Sequence, residues 1–131
     1  MNNYGHRNLV VWQKAKTLAT DVYQLTRAEA IRRDFSLIDQ LHRSAVSVPS
    51  NIAEGDERAS DKDSIRFFHI AKGSLAELAP QLEIASDVGY FTAAQVEPLI
   101  TQCAELGKML GALIRARNNS SPRAQSPAPR A

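Results

Sequence analysis

The sequence predicts an all-α protein, a single domain folded as an up-and-down antiparallel four-helix bundle. Four stretches carry apolar residues at alternating steps of three and four, the spacing that places side chains on one face of a helix. Short polar connections join these stretches, which favours sequential helices that run in opposite directions. No segment shows the period-two alternation of a half-buried strand.

Length and charge restrict the possibilities further. A chain of 131 residues suits one domain with one core. Its net charge is +2, and Arg123 and Arg130 lie near the C-terminus, so the residues before 118 carry equal numbers of acidic and basic side chains. A nucleic-acid surface would therefore have to come from clustering of cations, since the bulk charge does not supply it.

The single cysteine excludes an internal disulfide and gives no metal-site spacing. Cys103 lies on an apolar helical stripe, so we expect a buried, inert thiol. No signal-peptide core is present at the N-terminus, and no apolar run approaches the roughly 20 residues of a membrane span. A cytoplasmic protein without a membrane partner is expected.

The first helix is predicted over residues 9–26, with Asn8 as its N-cap. Residues 1–8 are polar and are expected to form a flexible N-terminus. The apolar stripe of this helix comprises Val11, Ala15, Leu18, Val22 and Leu25. The charged segment 27–33 lacks a strong breaker, so it is either a loop or a loose helical turn.

The second helix is predicted over residues 35–54, with Gly55 as the residue that ends it. Its apolar stripe comprises Ile38, Leu41, Ala45, Val48 and Ile52. Pro49 lies inside the pattern, where proline costs about 3 kcal/mol or more. Tertiary or quaternary packing must hold a helix that keeps such a residue.

A second, polar stripe runs along the same helix. We call it the polar stripe, and its members are Arg43, Ser47, Ser50, Asn51 and Glu54. It is a solvated face, or a face on which Ser47 and Ser50 satisfy backbone carbonyls freed by Pro49, or a hydrogen-bonded network between subunits, or a contact for a ligand or nucleic acid. In the second case Arg43 and Glu54 pair across the interface.

The third helix is predicted over residues 61–88, and Ser60 with Asp63 resembles a capping box at its start. Its seam comprises Phe68, Ala71, Leu75, Leu78, Leu82 and Ala85. Further apolar residues lie off that seam, at Phe67, Ile70, Ile84 and Val88. This helix therefore has more apolar surface than one intramolecular contact can bury.

The fourth helix is predicted over residues 93–117, after Gly89 ends the third helix and Thr92 forms a capping box with Gln95. Its seam comprises Val96, Leu99, Cys103, Leu106, Leu110 and Leu113. Residues 118–131 contain no large apolar side chain and are predicted to be a disordered tail. The bundle thus spans residues 9–117.

The residues point away from an enzyme, a cofactor or a metal. The three histidines, His6, His42 and His69, have no i, i+4 partner, and no His-Glu-x-x-His motif is present. No phosphate-binding loop occurs. Ser47 and Ser50 have no evident base beside them. We expect no catalytic residue, no metal ligand and no cofactor.

The basic residues form loose groups that are either ordinary surface charge or phosphate contacts. The candidates for nucleic-acid contact are Lys14, Lys16, Arg32, Arg33, Arg58, Lys62, Arg66, Arg115 and Arg117. An oligomer would repeat each group around its axis, and a modest patch would become a belt.

The stretch 40–55, QLHRSAVSVPSNIAEG, resembles the pattern Q-L-R-R-A-A-V-S-I-P-S-N-I-A-E-G of the 23S rRNA intervening sequence protein family. Three further stretches also match that family: LVVWQKA at 9–15, RFFHIAKGSLAEL at 66–78 and GYF at 89–91. The resemblance implies a four-helix bundle that assembles into a homopentameric ring. It also implies a relation to the accessory protein of diversity-generating retroelements, which binds nucleic acid and a reverse transcriptase.

Together, these observations predict a non-enzymatic, homo-oligomeric adaptor that binds structured RNA or DNA, or an enzyme that acts on nucleic acid. Its partners would be other copies of itself, nucleic acid, and a reverse transcriptase or other protein. The alternative is a protein-interaction scaffold without affinity for nucleic acid. A basic face on the assembled protein would favour the first hypothesis, and mixed charge on every face the second.

Overall fold

The structure, a computed structural model, describes residues 5–120. A short 3-10 helix, Gly5–Asn8, precedes four α-helices: α1 (Val10–Leu25), α2 (Phe35–Asp56), α3 (Asp61–Asp87) and α4 (Ala93–Ser120). The described residues contain no strand. The predicted all-α, single-domain four-helix bundle is confirmed.

The four helices form a closed antiparallel bundle. Each packs against the helix that follows it, and α1 also packs against α4. Lys14 of α1 lies 3.9 Å from Glu105 of α4, and Asp21, further along α1, accepts a hydrogen bond from Gln102, earlier on α4. Because numbers rise on one helix as they fall on the other, α1 and α4 are antiparallel.

The core follows the predicted stripes closely. All six seam residues of α3 are buried, as are the first four stripe residues of α1 and the last four of α2. On α4, Leu113 is only partly buried and Ile114 takes its place in the core. The two residues are adjacent, so the helix is rotated slightly from the seven-residue seam near its C-terminus.

The start of α1 differs from the prediction. Leu9, not Asn8, is the N-cap residue, and it makes no side-chain capping bond. Asn8 instead ends the 3-10 helix that leads into α1. His6 on that turn packs edge-on against Trp12, with ring centroids 4.8 Å apart. This contact holds the chain before α1, so residues 5–8 of the predicted flexible N-terminus have a defined structure. Residues 1–4 lie outside the described residues.

The first connection consists of turns anchored to the core. Ile31 within it is fully buried. Asp34 caps α2 by accepting a hydrogen bond from the Leu37 amide at 3.0 Å, and its second oxygen accepts one from the Tyr90 hydroxyl at 2.8 Å. One carboxylate thus joins this connection to the turn between α3 and α4.

Gly55 does not end α2, contrary to the sequence prediction. The helix continues to Asp56, and Gly55 is buried inside its last turn. A Cβ atom at this position would lie 2.6 Å from Phe68 Cε1 and 3.0 Å from the Ser64 carbonyl oxygen. The glycine is needed because α2 and α3 approach each other closely here.

The predicted caps of α3 and α4 are present. Ser60 Oγ accepts from the Asp63 amide at 3.2 Å. Thr92 Oγ1 accepts from the Gln95 amide, and Gln95 Oε1 accepts from the Thr92 amide, which completes a reciprocal capping box. Gly89 has a φ of +95°, so it provides the left-handed residue after α3.

Helix α4 extends three residues beyond the predicted end, to Ser120. The predicted tail therefore begins within a helix, and residues 121–131 lie outside the described residues. Across residues 5–120, none of the helices combines the length and the apolar character that crossing a membrane would require.

Candidate functional site

The middle of the polar stripe makes a small hydrogen-bonded network with α3. Ser47 Oγ lies 2.7 Å from the hydroxyl of Ser74, which is buried. Asn51 donates from Nδ2 to the Ser47 carbonyl at 2.8 Å and to Ser47 Oγ at 3.0 Å. Ser74 also donates to the Ile70 carbonyl. These contacts hold α2 against α3 and occupy Ser47 and Asn51 within one chain.

The two charged members of the polar stripe form ion pairs within the same chain, each with a residue four positions away. Arg43 pairs with Asp39 one turn earlier, and Glu54 pairs with Arg58 one turn later. All four side chains are substantially exposed, where such pairs contribute little stability. Ser50 is exposed between them. A pairing of Arg43 with Glu54 between subunits remains a prediction.

Beside this network, an open groove of about 700 Å³ runs between α2 and α3. We call it the α2–α3 groove. Ser44 and Ser47 line it from α2, and Ser74, Glu77 and Ile84 from α3. The carboxamide oxygen of Gln81, which also lines it, is buried and has no hydrogen-bond partner within residues 5–120. Small side chains on facing helices create the groove, because they leave space between the backbones.

The predicted second apolar face of α3 is largely uncovered. Ile70, Ile84 and Val88 are 42%, 51% and 59% exposed. Phe67, in contrast, is half-buried, and the guanidinium carbons of Arg58 and Arg66 each lie 4.6 Å from its ring centroid. The outer side of α3 therefore presents apolar side chains beside the α2–α3 groove.

Four predicted nucleic-acid contacts are ion-paired in the structure. Lys14 pairs with Glu105, Arg32 with Glu29, and Arg58 with Glu54. Arg117 is half-buried between two carboxylates, at 3.6 Å from Asp56 and 3.8 Å from Asp61. It joins the ends of α2, α3 and α4, which is a structural role.

The remaining candidates are exposed and have no carboxylate within 4.0 Å among the described residues. Lys16 lies over the Trp12 ring, 5.7 Å from its centroid. Arg33 is exposed in the first connection. Lys62, Arg66 and Arg115 lie on α3 and α4 at one end of the bundle.

Two further cations, Lys72 and Lys108, join that group. We call the five residues the basic face: Lys62, Arg66, Lys72, Lys108 and Arg115. Because α3 and α4 are antiparallel, the first half of α3 and the second half of α4 lie at the same end. Lys72 and Lys108 were not predicted as contacts, since the register between two helices is not visible in their separate sequence patterns.

Two titratable groups have altered environments. Burial lowers the pKa of His42, and the Asp39 carboxylate offsets part of this effect. Burial raises the pKa of Cys103 to about 12, so its thiol stays protonated. Neither group faces the basic face, and no cluster of three His, Cys, Asp or Glu side chains suited to a metal ion occurs within residues 5–120.

The fold also occurs in a solved protein structure. The chain is similar to the crystal structure of a protein of unknown function from the S23 ribosomal protein family of Bacteroides thetaiotaomicron VPI-5482, with 27% sequence identity and a TM-score of 0.75. That similarity covers 81% of this chain and 99% of the other. No curated protein matches the chain.

The family model described as 23S rRNA-intervening sequence protein matches residues 7–112. This range includes the polar stripe, the α2–α3 groove, and four of the five residues of the basic face. Because the match spans most of the chain, the protein belongs to the 23S rRNA-intervening sequence protein family.

Proposed function

We propose that the protein is a non-enzymatic, homo-oligomeric adaptor, assembled as a pentamer, that binds structured RNA or DNA or an enzyme acting on nucleic acid. The observation that carries this proposal is the basic face. Its five cations lie on neighbouring helices at one end of the bundle, and none has a carboxylate within 4.0 Å among the described residues.

The segregation of charge matters more than its total. Glu77, Glu83 and Asp87 lie in the second half of α3, away from the five cations. The first half of α3 carries two acidic residues, Asp63 and Asp61, and Asp61 pairs with Arg117. One end of the α3–α4 layer is therefore positive although the chain is nearly neutral. A phosphate backbone binds such a surface by releasing its counterions, which makes the affinity sensitive to salt.

Self-assembly is supported by the other side of α3. Ile84 lines the α2–α3 groove, and Ile70 and Val88 are also exposed. The serines that line the groove are small enough to allow a second helix to approach closely. Covering this surface with other copies of the chain would remove apolar area from water. A ring would also repeat the basic face and raise the avidity for a long polyanion.

The proposal includes no catalytic role. Ser47 and Ser74 hydrogen-bond to each other, to Asn51 and to a backbone carbonyl, none of which is a general base. A serine without a base beside it is a weak nucleophile. The network is best explained as packing between α2 and α3.

A second candidate function is a protein-interaction scaffold without affinity for nucleic acid. The exposed apolar residues of α3 favour it, because they suit a protein partner as well as a second copy. In that case the basic face would be ordinary solvated charge.

A titration with fluorescent duplex RNA and duplex DNA, on protein whose assembly mass is known from light scattering, separates the two functions. We expect binding that weakens steeply between low and physiological salt, with a log–log slope of about 0.9 for each phosphate contacted. Absence of binding at low salt would overturn the nucleic-acid function and leave the scaffold.

A further inference from the structure

Two cations of the basic face, from different helices, converge over Gly111 of α4. The position that a Cβ atom on Gly111 would occupy lies 3.6 Å from Arg115 Nη1 and 3.8 Å from Lys72 Nζ. Arg115 is one turn further along α4, and Lys72 reaches across from α3. The guanidinium and the ammonium groups therefore share one small region of surface.

Within the described part of the chain, no carboxylate forms an ion pair with either cation. Among residues 5–120, neither Lys72 nor Arg115 has a carboxylate oxygen within 4.0 Å, although five other cations of α1, α2, α4 and the connections do. Lys108, one turn before Gly111 on the same side of α4, adds a third positive charge. Like charges at this separation repel, and an anion between them would relieve the repulsion.

The surface beneath these cations is formed by small residues of α4. Gly111 is half-buried beneath them, and a Cβ atom on Gly107, one turn earlier, would meet nothing within 4 Å. Ala104 continues the row of small residues along the α3-facing side of α4. The surface between α3 and α4 therefore consists of small residues here, and cationic side chains lie along its edges.

We propose that Lys72 and Arg115 form a phosphate-binding site over Gly111, with Lys108 at its edge. The guanidinium and ammonium groups donate charge-assisted hydrogen bonds to the phosphate oxygens. The site deepens the proposed nucleic-acid function and rests on it where the ligand is a backbone phosphodiester. Free inorganic phosphate has the same chemistry, and the experiment distinguishes the two sources.

The sharpest test places a carboxylate inside the site. Gly111→Glu positions an acidic side chain between Lys72 and Arg115, so the protein neutralises its own cations. Ala94→Glu is the control, since it makes the same charge change at an exposed residue in the first turn of α4, at the opposite end of the helix from Gly111. Both variants are checked for helical content and thermal stability.

A second pair of variants removes the charges without adding one. Lys72→Gln combined with Arg115→Gln is compared with Arg7→Gln combined with Arg27→Gln, which removes two exposed cations that are not among the candidate nucleic-acid contacts. We expect Gly111→Glu and the first double variant to bind duplex RNA or DNA at least tenfold more weakly. We also expect the salt slope to fall by about 1 for each contacting cation removed. Both controls should stay close to the unaltered protein.

The outcomes separate the site from the function. If the unaltered protein binds nucleic acid and Gly111→Glu binds as well as Ala94→Glu, the site is wrong and the function stands. If it binds no nucleic acid, calorimetry with inorganic phosphate decides: binding that Gly111→Glu abolishes and Ala94→Glu retains supports a free-phosphate site. Equal binding by the two variants, or no phosphate binding at all, overturns it.

Discussion

His42 shows how a single side chain at a helix interface responds to its surroundings. Its ring stacks on Tyr23, with centroids 3.7 Å apart, and its Nε2 lies 2.8 Å from Thr26 Oγ1. The Thr26 hydroxyl also lies 3.0 Å from the Tyr23 carbonyl. The hydrogen bond between His42 and Thr26 fixes α1 against α2.

The lowered pKa of His42 predicts a dependence of stability on pH. Unfolded histidine takes up a proton near pH 6.5, at a higher pH than folded His42 does. The stability that neutral His42 contributes is therefore present above about pH 6.5 and is lost as the pH falls toward the lower folded pKa. His42→Gln should reduce the loss of thermal stability between about pH 7.5 and pH 5.5. Glutamine can still donate to Thr26, so parallel pH curves for the two proteins would contradict the assignment.

Which side chains are buried was easier to predict from the sequence than which hydrogen bonds form. Cys103 and the α3 seam are buried as expected, because burial follows the helical period. Asn8 was expected to cap α1, but the chain enters that helix through a 3-10 turn held by His6 and Trp12. A cap depends on backbone angles that neighbouring contacts decide, and the residue type alone does not fix them.

The contact between Gly55 and Phe68 controls how closely α2 and α3 approach. Phe68 is fully buried, so its ring has no free space into which to move. The Ser64 carbonyl belongs to the backbone of α3 and cannot rotate away. Any side chain at residue 55 must therefore push the two helices apart.

We expect Gly55→Ala to destabilise the protein by about 1–3 kcal/mol, since overpacking outweighs the better helix propensity of alanine. Gly107→Ala is the matched control. It is also a glycine inside a helix, but its Cβ meets nothing within 4 Å, so it should stabilise by about 0.5–1 kcal/mol. Chemical denaturation measures both changes, and effects of the same sign would contradict this explanation.

The helices themselves were predictable because each has a strong period and, for α3 and α4, an evident capping box. The ends of α2 and α4 were not. Glycine after an apolar run commonly ends a helix, whereas Gly55 serves a contact with a residue 13 positions later. The same limit applies to the pair Lys72 and Arg115, which meet only because of the register between two helices.

The molecule as a whole has two unlike outer surfaces on α3. One is apolar and borders the α2–α3 groove, and the other is positive and continues onto α4. The sequence indicated surplus apolar residues on α3, and three of them are exposed. The charge segregation was not visible in it, since the acidic and basic residues are interspersed along the chain and separate only when the helices pack.

If the apolar surface of α3 is where subunits meet, a charge there should dissociate the assembly. We expect Ile84→Glu to lower the mass measured by light scattering toward that of a single chain at micromolar concentration. Burying an unpaired carboxylate would cost several kcal/mol, and Glu77 in the same groove adds repulsion.

Val10→Glu is the control for this prediction. Val10 is similarly exposed, but it lies at the first position of α1, away from the α2–α3 groove. It should leave the mass unchanged. An unchanged mass for Ile84→Glu, with helical content preserved, would place the subunit contact elsewhere.

The burial of Cys103 determines how the protein reacts with oxidants and thiol reagents. The thiolate is the reactive form, and a buried thiol with a pKa of about 12 supplies almost none at neutral pH. As the chain has no other cysteine, it does not form mixed disulfides or react readily with maleimide while folded. A cysteine introduced on the surface would therefore be labelled selectively, and energy transfer between labelled copies would report directly on their exchange.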